Sequence, residues 1–102
     1  MVFLAVDTER VHEGAQLLDQ MFEEWEKQID LDLLDMTNET GCILGQLFGD
    51  YEGGLHDLGV DDGVEYGFYL GGTLTWRSEA EDARWNALGE LWITEIRNRT
   101  GE

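Results

Sequence analysis

Apolar residues in the first third of the chain recur at steps of three and four positions, a spacing that puts their side chains on one face of an α-helix. Acidic residues such as Glu9, Glu13 and Asp19 occupy the opposite face. The pattern predicts a first helix over residues 8–29 whose apolar face packs into the core. The residues of that face are Val11, Ala15, Leu18, Phe22, Trp25 and Ile29, widened by Leu17 and Met21.

A second helical pattern follows a short alternating stretch. Residues 29–36 begin with apolar and acidic residues in alternation, which favours an extended connector or one short strand. Thr37 and Asn38 are suited to cap a helix, and Gly59 is a residue type common at helix C-termini. We therefore predict a second helix over residues 39–58.

The third helical pattern lies near the C-terminus, over residues 78–99. Ser78 and Glu81 have the S-x-x-E spacing of a capping box, in which each side chain bonds the backbone N–H of the other residue. The apolar residues that follow recur at helical spacing, so we predict a third helix there. They are Ala80, Ala83, Ala87, Leu88, Leu91, Trp92 and Ile96. Trp76 and Trp85 fit its apolar face least well, and we expect both to be exposed.

These patterns predict one small acidic domain over residues 1–102, with a mainly α fold of three helices. Residues 60–72 are rich in glycine and acid, and we expect an irregular or briefly extended segment there. A hairpin that pairs residues 29–36 with residues 64–70 is the main alternative, and it would make the fold α+β.

Glycine recurs every four residues in the second predicted helix. A glycine inside a helix costs about 0.5 to 1 kcal/mol relative to alanine, so the repeat needs a packing reason. Aligned small residues let a neighbouring helix backbone approach closely. We predict close helix packing along this stripe, either within the chain or in a homodimer. The glycines are Gly41, Gly45, Gly49 and Gly53.

The charge of the chain limits its partners. The 23 Asp and Glu against 6 Lys and Arg give a net charge of -17 at pH 7. Binding to nucleic acid or to an anionic membrane depends on Lys and Arg, so we expect neither and instead expect a partner with a basic surface. No apolar run approaches the roughly 18 residues of a membrane span, which favours a cytoplasmic protein.

The sequence offers little for catalysis or metal binding. Cys42 is the only thiol, and it is either activated by the dipole of the second predicted helix or, as is commoner for an isolated cysteine, a small buried apolar residue. His12 and His56 have no second His or Cys at zinc-ligand spacing, and no segment matches a calcium-binding EF-hand loop. We predict no catalytic residue, no metal and no cofactor.

Eight acidic residues lie in or beside the predicted connectors, where the solvent face of a helix does not explain them. Binding residues concentrate in connectors, so we predict that these eight contact the partner. Helical carboxylates about 5 to 6 Å apart are spaced like phosphates, which suits a basic nucleic-acid-binding cleft. Solubility and adaptation to high salt are the alternative explanations of the acidity. The eight are Asp30, Asp32, Asp35, Asp50, Asp57, Asp61, Asp62 and Glu65.

Five segments of the chain carry a resemblance to known proteins. They are I-D-L-D-L-L-D-M at 29–36, C-I-L-G-Q-L-F-G-D-Y at 42–51, G-L-H-D-L-G at 54–59, V-E-Y-G-F at 64–68 and A-L-G-E-L-W-I-T-E-I-R at 87–97. Together they resemble a group of small proteins encoded by actinobacterial phages and prophages. The group has no assigned activity, so the resemblance implies no catalytic residues.

The resemblance implies a phage accessory protein, since small non-structural phage proteins commonly act by binding one host protein. Together with the acidity, it favours a non-enzymatic nucleic-acid mimic that binds a basic surface in the host cytoplasm. A self-associating structural or assembly protein that uses the glycine-lined helix is the second hypothesis. A small hydrolase or metal-dependent enzyme is the third.

Overall fold

The computed structural model describes residues 5–69 and 79–101. These residues are mainly helical and include no strand, which confirms the mainly α fold. Four α-helices and two short 3₁₀ helices are present in this part of the chain. They are α1 at Ala5–Met21, α2 at Ile43–Phe48, α3 at Tyr51–Leu58 and α4 at Glu79–Thr100, with the 3₁₀ helices at Trp25–Lys27 and Gly63–Tyr66.

The first helix is shorter than the predicted 8–29, because α1 ends at Met21. Glu24 adopts a left-handed backbone conformation with φ 58° and ψ 32°, which a right-handed helix does not accommodate. Trp25 is still fully buried, and its ring meets that of Trp92 edge-on with the centroids 5.9 Å apart. The core contact therefore comes from a turn after the helix, whereas Met21 is 53% exposed, contrary to its predicted place on the apolar face.

The predicted helix over residues 39–58 is two helices, α2 and α3, with a break between them. Gly49 lies at the break with φ 103°, a conformation that residues with a Cβ rarely adopt. Asp50 then caps α3, because its carboxylate accepts a hydrogen bond from the N–H of Gly53 at 2.6 Å. The described residues therefore form four α-helices where three were predicted, because one predicted helix is divided in two.

The glycine stripe predicted along the second helix is wrong, because the break separates its members. A Cβ at Gly45 would overlap the backbone of Glu39 and Thr40. This glycine therefore allows the close approach of the preceding connector and not of a neighbouring helix. A Cβ at Gly53 would meet the carboxylate of Asp50, the cap of its own helix, at 2.9 Å. The four positions of the stripe were Gly41, Gly45, Gly49 and Gly53.

The predicted hairpin is wrong for the described residues. Residues 29–36 form turns, and their predicted partners within 64–69 lie partly in the 3₁₀ helix Gly63–Tyr66. The segment predicted as irregular over residues 60–72 is therefore partly helical. Residues 70–72 lie outside the described residues.

The last helix, α4, begins and ends within one residue of the predicted 78–99. Trp85 is only 4% exposed, so the expectation that it lies at the surface is wrong. Its ring packs edge-on against the ring of Tyr69, with the centroids 5.3 Å apart, in a contact that spacing along one helix does not reveal. Ser78 and Trp76 lie outside the described residues.

The core lies between α1, α2, α4 and the segment around the second 3₁₀ helix. Gly14 of α1 lies against the backbone carbonyl of Tyr66, where a Cβ would overlap. Trp92 of α4 donates its indole N–H to the carbonyl of Gly67 at 2.7 Å, and the rings of Trp92 and Phe68 stack with their centroids 5.5 Å apart. These contacts anchor residues 66–68 to both long helices.

Candidate protein-binding face

All eight acidic residues predicted to bind a partner are exposed. We call them the acidic connector residues. They fall in three places: the connector between α1 and α2, the α2–α3 break with α3, and the segment after α3. In chain order they are Asp30, Asp32, Asp35, Asp50, Asp57, Asp61, Asp62 and Glu65.

Four acidic connector residues also hold the local backbone in place. One oxygen of each accepts a hydrogen bond from a backbone N–H two or three residues later, as Asx turns and N-caps require. The bonds run from the N–H of Asp32 to Asp30 at 3.0 Å, Thr37 to Asp35 at 2.9 Å, Gly53 to Asp50 at 2.6 Å and Val64 to Asp62 at 2.9 Å. Sequence reasoning missed this structural role, although the Asp-x-Thr and Asp-x-x-Gly spacings are signals for it.

The connector between α1 and α2 is tied to α2 through the side chain of Gln46. Its amide exchanges two hydrogen bonds with the backbone of Asp30, accepting from N–H at 2.6 Å and donating to the carbonyl at 3.2 Å. It also donates to the carbonyl of Gly41 at 3.0 Å. Because one side chain holds both Asp30 and Gly41, the acidic residues between them, Asp32 and Asp35, are presented by an ordered loop.

An open groove of about 730 Å³ lies between this connector and α4. Its carboxylates include Asp32, Asp35 and Glu90, and its apolar surface includes Met36 and Trp85. We call it the Gly89 groove, after the glycine of α4 that lines it. Its full lining is Asp32, Leu33, Leu34, Asp35, Met36, Thr37, Asp82, Trp85, Asn86, Gly89, Glu90 and Ile93.

A second groove of about 450 Å³ lies between the same connector, α3 and the segment after α3. We call it the Tyr51 groove, and its carboxylates are those of Glu39, Glu52, Asp61 and Asp62. Met36 lines both grooves, so they adjoin along one side of the molecule. The full lining is Met36, Asn38, Glu39, Cys42, Tyr51, Glu52, Leu55, Asp61, Asp62, Gly63 and Tyr69.

The two grooves bring together half of the acidic connector residues. Asp32 and Asp35 line the Gly89 groove, and Asp61 and Asp62 line the Tyr51 groove. The others line neither groove: Asp30, Asp50, Asp57 and Glu65. The prediction did not include four further acidic residues that line the grooves and lie within the predicted helices 39–58 and 78–99: Glu39, Glu52, Asp82 and Glu90.

The described arginines do not neutralise this face. Arg84 of α4 makes a bidentate contact with Asp7 of α1, at 3.0 and 3.2 Å, and Arg99 holds Asp19 of α1 at 2.7 Å. Among the described residues, the basic side chain found beside an acidic connector residue is His56, 3.7 Å from Asp57. Arg84 and Arg99 are thus engaged between α1 and α4, whereas Arg97 is exposed.

The two groups of the Tyr51 groove with altered acidity do not resemble activated catalytic groups. Burial raises the pKa of the Cys42 thiol, whose Sγ accepts a hydrogen bond from the N–H of Gly45 at 3.3 Å as the N-cap of α2. Burial, aided by the negative charge of Asp62, raises the pKa of Tyr51 to about 12. Both groups therefore stay protonated at neutral pH, whereas a nucleophilic thiol needs a lowered pKa.

The described residues contain no group of three or more His, Cys, Asp or Glu arranged to hold a metal ion. Their helices include none that is both long and apolar enough to cross a membrane.

Comparison with known proteins gave no match to a family model, to a curated protein or to a solved structure.

Proposed function

We propose that the protein is a non-enzymatic binding protein whose acidic connector residues engage a basic surface of another protein. The carrying observation is that all eight are exposed while Arg84 and Arg99 of α4 are engaged with α1. A face of one charge sign raises the rate of encounter with an oppositely charged partner. A partner surface that otherwise binds nucleic acid fits this charge best, since both ligands present closely spaced negative charges.

The biological setting of this proposal rests on sequence resemblance. The proposal of a phage accessory protein rests on the resemblance of the segment C-I-L-G-Q-L-F-G at residues 42–49 and of the four other segments to small actinobacterial phage proteins. Such a protein would act in the host cytoplasm on one host protein. The self-association hypothesis has lost its main support, because the glycine-lined helix on which it relied is divided at Gly49.

The test compares two triple variants that each remove three negative charges. The first carries Asp32→Asn, Asp61→Asn and Asp62→Asn, and asparagine keeps the cap that Asp62 provides. The matched control carries Glu9→Gln, Glu13→Gln and Glu23→Gln, three exposed residues of α1 and the turn after it. Any effect of net charge alone is equal in the two variants.

The partner is first captured from a lysate of the host at about 0.15 M salt and identified, and its association rate with each variant is then measured. We expect the connector triple to slow association about tenfold and to flatten its salt dependence, and the control triple to do much less. Capture should also fail at about 0.5 M salt, where charges are screened over a shorter distance. Equal slowing by both triples, or none by either, would overturn the proposal.

A further inference from the structure

Gly89 is a glycine inside a long helix for which the described residues give no packing reason. It lies in the middle of α4, Glu79–Thr100, and among the described residues a Cβ built on it would meet only Met36 Cγ within 4 Å, at 3.9 Å. Gly14 and Gly45 differ, because a Cβ at either would overlap the backbone of another segment. Alanine at 89 would fit and would favour the helix, so glycine there leaves the floor of the Gly89 groove open at a cost in helix propensity.

The same groove has an apolar floor and an apolar edge. Trp85 and Met36 form the floor and are 4% and 5% exposed, and Ile93 is half-buried beside them. Leu33 lies at the edge and is 69% exposed. It is more exposed than Met21, the other exposed large apolar residue among the described residues. An apolar side chain of a partner could therefore sit over Gly89 and be covered by Leu33.

Carboxylates surround this apolar surface. Asp32 and Asp35 stand on the connector side and Glu90 on the α4 side, and all three are exposed. The described residues that line the groove include no Lys, Arg or His. An occupant that carries positive charge around an apolar stripe is complementary to this arrangement, whereas an acidic or purely apolar one is not.

We propose that the Gly89 groove docks a basic amphipathic helix of the partner protein, with an apolar residue over Gly89 and Lys or Arg beside the rim carboxylates. A helix fits because the groove has apolar residues between carboxylates of the connector and of α4, and an amphipathic helix presents an apolar stripe flanked by polar side chains, as in helix-in-groove binding. The inference rests on the proposed function and deepens it by naming the site and the form of the ligand.

The probe is a synthetic peptide of Leu, Ala and Lys of about 16 residues, long enough to form a helix, with Leu at helical spacing. A scrambled peptide of the same composition and charge is its control. Binding of both to the full chain is measured by fluorescence anisotropy at about 0.15 M salt. We expect the amphipathic peptide to bind about tenfold more tightly, a difference that charge alone does not produce.

The decisive variant is Gly89→Leu, which fills the groove while improving helix propensity, and its fold is checked by circular dichroism. Its matched control is Thr94→Leu, which adds the same side chain at an exposed position of α4 outside the groove. We expect Gly89→Leu to abolish the preference for the amphipathic peptide and Thr94→Leu to keep it.

Leu33→Ser is a second variant that does not threaten the core, since Leu33 is exposed. It should weaken binding of the amphipathic peptide severalfold.

The following outcomes would overturn the inference. If the two peptides bind with equal affinity, and Gly89→Leu does not change that affinity, then charge acts without the groove. The proposed function would still stand in that case. A Gly89-dependent dimer, seen by sedimentation, that excludes the peptide would assign the groove to a second copy of the chain. Failure of the proposed function is recognised separately, by equal effects of the two charge triples on the captured partner.

Discussion

At the residue scale, two glycines in the two longest helices have opposite surroundings. A Cβ at Gly14 of α1 would overlap the carbonyl of Tyr66 and would lie 3.1 Å from the ring of Trp92. Among the described residues, a Cβ at Gly89 of α4 would contact only Met36, at an ordinary distance of 3.9 Å. Packing against described residues therefore requires the first glycine and does not require the second.

Alanine at these two positions should therefore change stability in opposite directions. Gly14→Ala forces the backbones of α1 and residue 66 apart, and we expect a loss of about 1 to 3 kcal/mol. Gly89→Ala gains helix propensity without a clash, and we expect a gain of about 0.5 to 1 kcal/mol. Urea unfolding of both variants measures the difference. A stable Gly14→Ala protein would contradict the close contact between α1 and Tyr66.

At the element scale, the break between α2 and α3 decides how the middle of the chain folds. Gly49 takes a positive φ and Asp50 caps the next helix, so the two residues end one helix and begin another. Gly54 of α3 then packs against Leu44 of α2, where a Cβ would lie 2.8 Å from that side chain. The break therefore folds α3 back against α2.

Substitutions at Asp50 should separate its capping role from its charge. Asp50→Ala removes the acceptor of the 2.6 Å bond from Gly53 N–H, and we expect a loss of about 0.5 to 2 kcal/mol. Asp50→Asn keeps an acceptor at the same place, and we expect a change of only a few tenths of a kcal/mol. Thermal unfolding of both variants makes the comparison. Equal losses would indicate that the charge, and not the cap, stabilises α3.

At the scale of the whole molecule, ion pairs join α1 to α4. Asp7 is 3% exposed and receives both hydrogen bonds of the Arg84 guanidinium. Arg99 bonds Asp19 and also lies over the ring of Trp25, 5.7 Å from its centroid. These pairs fix the position of α1 relative to α4.

Removing Arg84 should destabilise the fold strongly, because it leaves the buried carboxylate of Asp7 without its bidentate partner. We expect Arg84→Ala to cost about 2 to 3 kcal/mol, as for a charged buried group that loses its hydrogen bonds. Arg97→Ala is the matched control on the same helix, since Arg97 is exposed, and should change stability by less than about 0.5 kcal/mol. Denaturant unfolding of the two variants tests the claim, and similar small losses would contradict it.

The sequence by itself determined the class of fold, much of the core and the acidic character. Helical spacing identified Val11, Ala15 and Leu18 in α1, and Leu88 and Trp92 in α4, and these residues are at most 2% exposed. This succeeds because the period of side chains along a helix is a local property that the chain carries wherever the helix packs. The exposure of acidic residues in connectors is predictable for a similar reason, since unpaired charges are seldom buried.

The tertiary structure decided how Trp25 reaches the core and which acidic residues share a groove. Trp25 lies after the end of α1 and packs on Trp92, a partner far along the chain that spacing cannot identify. The Gly45 and Gly89 positions look alike in the sequence, yet one is filled by a neighbouring backbone and the other is open. Met36 lines both acidic grooves only because α4 and the segment after α3 both pack beside the same connector. Contacts between segments that are distant in the sequence leave no periodic pattern, so the sequence does not predict them.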